Sequence, residues 1–205
     1  YGASAKAVRI RHGIRWESCM GQPGFKKKHG ISGRMFLSCG GYWPNKAMKE
    51  LAALFEITPL EDSILVTTGY DNRMDLMPAR SDKVLPLLID DRSEVLSAIH
   101  DADCLLMHSH SEGFGLVLLE AMLNQTPWIA RKIAGADLMS QHGLVYQSDA
   151  ELITHLRRFD RSLFDIRAAY EHVTSNHMIW HTVDDIEQVV INQNRIQRGP
   201  SIRMA

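Results

Sequence analysis

Apolar residues along this chain fall into short runs separated by polar, glycine-bearing turns, and the runs alternate between two periods. Met35-Phe36-Leu37, Ile64-Leu65-Val66, Val84-Leu85, Cys104-Leu105-Leu106-Met107 and Trp128-Ile129-Ala130 are continuous rather than alternating. A strand reads this way when both of its faces are covered, as in a parallel sheet between helices. Strands are therefore expected at 34–39, 64–68, 84–89, 104–108, 128–130 and 144–147, with a further short one at 8–12. Between them a helical period takes over. Met48, Leu51 and Leu54 mark one face of a helix over 46–55, and Asp91 or Ser93 caps a helix running to His100. A third helix covers 115–123, followed after strand 128–130 by a loop through Gln141. Beyond strand 144–147 only helices are expected, at 149–159, 161–175 and 182–196. Residues 16–30 read as a loop or short helix, and the tail from Gly199 as frayed.

Alternating strands and helices imply a doubly wound, Rossmann-like parallel α/β sheet. The expected organisation is a single domain over 1–205, with a core at about 8–160 and extra C-terminal helices at about 161–197. Ligands on such sheets settle at the carboxyl ends of the strands. The turns Gly40-Gly41, Ile89-Asp90 and His108 to Gly115 all sit at such ends and are expected to line one crevice.

One of those turns leads into the most informative segment. From Leu116 to Leu123 the helix is apolar on every face except at Glu120. A helix without a polar side is usually buried, and a buried carboxylate is costly unless a charge or hydrogen-bond donor meets it. Either Glu120 accepts hydroxyls from a ligand, or it pairs with a buried Lys or Arg for architecture alone. The glycine-rich turn before it, ending in Glu112-Gly113-Phe114-Gly115, opens a helix whose first N–H groups and dipole favour a phosphate. Eight residues of helix span about 12 Å, comparable to the reach from a ribose across a diphosphate to a sugar ring. Two carboxylates around a phosphate seat suit a nucleotide-sugar.

Gly40-Gly41-Tyr42-Trp43-Pro44-Asn45-Lys46 adds a glycine turn at a strand end with a lysine placed to meet a phosphate. It lacks the Gly-Lys-Ser/Thr ending of a P-loop. His108-Ser109-His110 has alternate spacing, but no carboxylate or cysteine lies at ligand distance in sequence, so crevice or packing roles are preferred to metal binding. Asp90-Asp91 suits a helix cap better than a metal pair.

The formal net charge of −1 leaves no electrostatic footprint for nucleic acid. No apolar run approaches the roughly 20 residues that span a bilayer. Cys19, Cys39 and Cys104 are an odd number without metal-ligand spacing and are expected as reduced core residues, which together with the absence of a secretory pattern points to the cytoplasm. The first residue is Tyr rather than Met, which suggests a piece of something longer.

Ser109-x-x-Glu112-Gly113-Phe114-Gly115-Leu116-x-x-x-Glu120-Ala121-Met122 resembles the Glu, seven residues, Glu signature of retaining GT-B glycosyltransferases, especially the large family-4 group. Other parts agree in order. His12-Gly13-Ile14 resembles the turn that opens the donor-binding domain, Ser38 to Lys46 the Gly-Arg-x-x-x-x-Lys donor loop, Ile89-Asp90 the base-binding loop, and Trp180 an aromatic residue of the closing helices. The similarity covers roughly 8–190. It implies the C-terminal, donor-binding half of a GT-B fold and a hexosyltransferase that retains anomeric configuration and needs neither metal nor cofactor. Glu112 would meet the hexose and, with Lys46, form the catalytic group. Glu120 would hold the ribose, Leu88 and Ile89 the base, and Gly40, Gly41, Gly113, Phe114, Gly115, Leu116 and Val117 the rest of the donor. The implied partners are a nucleotide-sugar donor and an N-terminal acceptor domain that these residues do not contain. The full enzyme would serve a polysaccharide or glycolipid, with possible peripheral membrane association, and this half alone would transfer little. Two departures stand out. Gly41 occupies the place of the donor-loop arginine, for which Arg131 or Lys132 is a candidate substitute, and Ala134-Gly135-Ala136-Asp137 replaces a Gly-Gly-x-x-Glu turn. A non-catalytic nucleotide-sugar scaffold and a related epimerase are the alternatives.

Overall fold

A computed structural model describes residues 10–70 and 73–197, with side chains through Ile191. Six strands form one sheet: β1 (Arg34–Cys39), β2 (Ser63–Gly69), β3 (Val84–Leu88), β4 (Cys104–Met107), β5 (Trp128–Arg131) and β6 (Leu144–Tyr146). Their order is β3-β2-β1-β4-β5-β6, and every neighbouring pair is parallel. The helices are α1 (Phe25–Lys28), α2 (Met48–Ile57), α3 (Arg92–Asp101), α4 (Leu116–Leu123), α5 (Ala134–Leu138), α6 (Asp149–Arg157), α7 (Ile166–Asn176) and α8 (Ile179–Gln197).

Successive strand residues point to opposite faces, and the sheet divides the core accordingly. Met35, Leu37, Leu105, Met107 and Trp128 pack with residues of α3, α4 and α7. Phe36, Leu65, Cys104, Leu106 and Ile129 pack on the other side with Leu51 and Phe55 of α2 and Leu152 and Leu156 of α6. This two-sided burial is why the strands read as continuous apolar runs. Strand order reverses between β1 and β4. The chain leaves β1 over the α2 face and β4 over the α4 face, which opens a crevice at their carboxyl ends.

Several boundaries differ from expectation. The 46–55 helix begins at Met48, because Pro44–Lys46 wind a separate 3-10 turn and Ala47 is left-handed at φ 52. The expected loop before Gln141 contains α5 and a turn at Ser140–His142. The 161–175 helix divides in two: Asp160 accepts from Ser162 N at 2.8 Å and Asp165 from Ala168 N at 2.9 Å, so two caps start separate turns. The strand expected at 8–12 lies partly outside the described residues; Ile10 to His12 are irregular, and Ile14 bridges Met178. Arg11 anchors this segment to α8 through Asp185 at 2.6 Å. Among the described residues no helix is long and apolar enough to cross a membrane.

Candidate functional site

The crevice is a cleft of about 500 Å³ walled by the ends of β1 and β2, the Ile89-Asp90 turn after β3, and the loop and first turns that follow β4. Gly115 enters α4 with φ 80, a left-handed conformation that suits glycine, and no side chain caps the helix. Leu116 and Val117, whose N–H groups precede the first helical hydrogen bond, line the cleft.

Glu120 lies in the second turn of α4 and is 8% exposed, yet it reaches the same cleft. Its carboxylate meets the Arg92 guanidinium, with Nη2 2.5 Å from Oε1 and Nη1 3.4 Å from Oε2. Arg92 is the first residue of α3, which starts there because Asp91 accepts from Ser93 N at 2.8 Å. Behind the pair, Asn124 Nδ2 donates to the carbonyls of Cys19 at 2.7 Å and Glu120 at 2.8 Å, locking α4 against the 19–21 segment. Glu120 thus has a guanidinium partner that is itself half exposed, and the two residues together line the cleft.

Glu112 lines the same cleft. Lys46 Nζ is 2.5 Å from its Oε1, and Ser109 Oγ donates to the same oxygen at 2.7 Å. The lysine stem crosses Gly40, where a Cβ would lie 3.4 Å from Cε and where φ is 141. Thr68 Oγ1, buried on the cleft wall, has no hydrogen-bond partner among the described residues. Burial, and next the charge of Glu120, push the Cys39 thiol up to about 12, so it serves as an inert lining residue.

The His108-Ser109-His110 run splits by depth. His108 is buried, its Nδ1 2.5 Å from the Tyr146 hydroxyl and its Nε2 2.7 Å from Arg131 Nη2. Burial first, and then the Arg131 charge, hold its pKa down to about 4. Ser109 orients Glu112, and His110 turns outward to Glu50. Among the described residues no group of three or more His, Cys, Asp or Glu is placed to hold a metal ion.

The sequence pattern of the group 1 glycosyl transferases matches residues 26–154, which include every wall of this cleft. The chain belongs to that family. It is 33% identical over 124 residues to a glycogen synthase of Mycobacterium tuberculosis, a match covering 56% of this chain and 30% of that protein. In fold it is similar to sucrose-phosphate synthase from Thermosynechococcus elongatus, with a TM-score of 0.76 at 19% identity, covering 95% of this chain and 54% of that one. A second similar structure is Anabaena HepE in complex with UDP-glucose, with a TM-score of 0.72 at 17% identity, covering 92% and 59%. The chain therefore corresponds to one Rossmann-like half of a GT-B fold and spans under two thirds of these relatives.

Of the residues expected in a group 1 donor site, Gly40, Lys46, Ile89, Glu112, Phe114, Gly115, Leu116, Val117 and Glu120 line the cleft. Gly41, Leu88 and Gly113 do not. At Gly41 the Trp43 indole takes the space, since a Cβ there would strike its ring. Leu88 points to solvent at 51% exposure, and nothing lies within 4 Å of a Cβ at Gly113. Neither proposed substitute for the missing arginine reaches the cleft: Arg131 is committed to His108 and Asp149, and Lys132 faces Asp137 at 3.7 Å. Besides Lys46, the cation that reaches it is Arg92, which the sequence reading missed. Its signal was a basic residue in the first turn of a helix, where acidic ones are favoured. Gly135 is needed elsewhere: a Cβ on it would strike the Phe114 carbonyl, so α5 sits directly against the Glu112 loop.

Proposed function

We propose that this chain is the donor-binding half of a retaining glycosyltransferase whose donor is a nucleoside-diphosphate sugar. The observation that carries this reading is the pair of carboxylates, Glu112 and Glu120, in one cleft on either side of an uncapped helix N-terminus. The diphosphate lies at the N–H groups of Leu116 and Val117 beside Lys46, whose ammonium has three donors and gives one to Glu112. Glu120 accepts the ribose hydroxyls, Glu112 the hexose hydroxyls, and the Ile89 turn borders the base. Cation and helix end stabilise the diphosphate as it leaves, without a metal ion. The similar structure of HepE, a complex with UDP-glucose on the same fold, supports the ligand class. A polysaccharide or glycolipid acceptor would dock on a second domain.

Calorimetric titration with UDP, GDP and ADP, with and without EDTA, tests the donor site. One diphosphate is expected to bind unaffected by EDTA, and Glu120→Ala to weaken it at least about ten-fold, the loss of one or two charge-assisted hydrogen bonds. Equal binding by Glu120→Ala would remove the ribose assignment. A second reading, a binding scaffold without transfer, is favoured by the Trp43 indole filling the space at Gly41. A longer parent chain that binds the donor but transfers no sugar would decide for the scaffold.

A further inference from the structure

We infer that Arg92 is a positioning residue for nucleotide recognition, holding the Glu120 carboxylate in place for the ribose hydroxyls. The inference rests on the ribose role proposed above and adds the residue on which that role depends.

Helix economy does not explain Arg92. A cation in the first turn of α3 opposes the positive end of the helix dipole. What it gains is Glu120, 28 residues away in sequence, through a forked contact to both carboxylate oxygens. The pair is asymmetric in exposure: the Glu120 side chain is 11% exposed and the Arg92 side chain 52%. The carboxylate is therefore sunk into the wall of the cleft, while the guanidinium beside it stays half open. The fork is also uneven, 2.5 Å to Oε1 and 3.4 Å to Oε2. A carboxylate offers about four acceptor sites, so Oε2 keeps capacity for a hydroxyl while Oε1 is pinned. Asn124 and the Cys19 carbonyl fix the backbone behind. The geometry is that of an acceptor aimed in advance, which lowers the ordering cost of binding.

The test crosses a protein change with a ligand change. Whichever of UDP, GDP and ADP binds this chain best is titrated beside its 2′,3′-dideoxy counterpart, into the wild type, Arg92→Met and Arg92→Lys. The wild type is expected to prefer the ribonucleotide by about ten-fold or more, the worth of a charge-assisted hydrogen bond. Arg92→Met loses that preference: it binds the ribonucleotide about ten-fold more weakly and the dideoxynucleotide nearly as before. Arg92→Lys restores only part of it, because an ammonium cannot fork onto two oxygens. Should Arg92→Met not fold, a reduced ribose preference in Arg92→Lys carries the same conclusion, and an unchanged one overturns it. Equal losses on both nucleotides in Arg92→Met also overturn the inference, since Arg92 would then act on the phosphates or on the fold. A wild type that binds both nucleotides equally, or neither, overturns the ribose reading itself, and this shows before any variant is made.

Discussion

Lys46 and Glu112 form an ion pair with little exposure, 22% and 13% for the two side chains. Removing one member of such a pair leaves the other charge poorly solvated, which costs more than the pair contributes. Lys46→Met strands Glu112 with, among the described residues, only the Ser109 hydroxyl, whereas Lys46→Met combined with Glu112→Gln leaves no unmatched charge. Urea melts of wild type, both single variants and the double variant are expected to show a coupling on the order of 1–3 kcal/mol, with the double variant more stable than Lys46→Met. Simple additivity of the two changes would mean that the pair is solvated after all and that Glu112 is not held for a ligand. The glutamates themselves were legible in the sequence because each broke a local pattern, Glu120 an apolar helix and Glu112 a glycine turn. Their cations were less so. Lys46 was anticipated from its place after Gly40, but Arg92 lies on a different element, and nothing local announced which acidic residue it would meet.

Elements fix the cleft through close backbone approaches. Gly135 brings α5 against the Phe114 carbonyl, and Phe114 in turn lies 4.7 Å from the His12 ring and 5.7 Å from the His177 ring. The loop that holds Glu112 is thus packed from two sides by groups outside the cleft. Gly135→Ala forces a methyl into backbone that cannot rotate away, an overpacking usually worth about 1–3 kcal/mol. The variant is expected to melt earlier and also to bind nucleotide more weakly, although residue 135 does not line the cleft. Melting and titration together check this: lost stability with unchanged affinity would show that α5 does not set the loop. At this scale the strands were legible and the short helices were not. β1 was read at its observed bounds, Arg34–Cys39, because buried parallel strands are apolar throughout. α5 has five residues, too few to display a helical period, and was expected as loop. The break at Asp165 was missed because capping competes with an apolar pattern that runs straight through it.

Over the whole molecule, the alternation of strands and helices was enough to anticipate a doubly wound sheet and a crevice at its carboxyl ends. The strand order that places the crevice between β1 and β4 depends on long-range pairing, which no local pattern encodes. The same long-range packing gathers histidines far apart in sequence. His172 of α7 lies 4.3 Å from the His142 ring and 5.2 Å from the His177 ring, in the seam between the sheet domain and the C-terminal helices. Burial first, then the neighbouring His142 and His177, lower its pKa from the ordinary 6.5 to about 4. The buried His108 is lowered to about 4 as well, by burial and Arg131. The fold therefore favours neutral rings, while the unfolded chain takes up protons from about pH 6.5 downward. The stability tied to these rings is full above pH 6.5, falls progressively as the pH drops, and is gone below about 4. Arginine-paired carboxylates such as Asp185 lose their share lower, between the ordinary 3.8 and about 2, which separates the two effects. Urea unfolding at pH 7.0 and pH 5.0 is expected to show a marked loss for the wild type at the lower pH and a smaller loss for His172→Phe, which keeps a ring in the seam without a titrating group. If the two proteins lose the same stability between those pH values, His172 is already solvated in the native state, and the seam between α7 and the sheet is looser than its ring contacts imply.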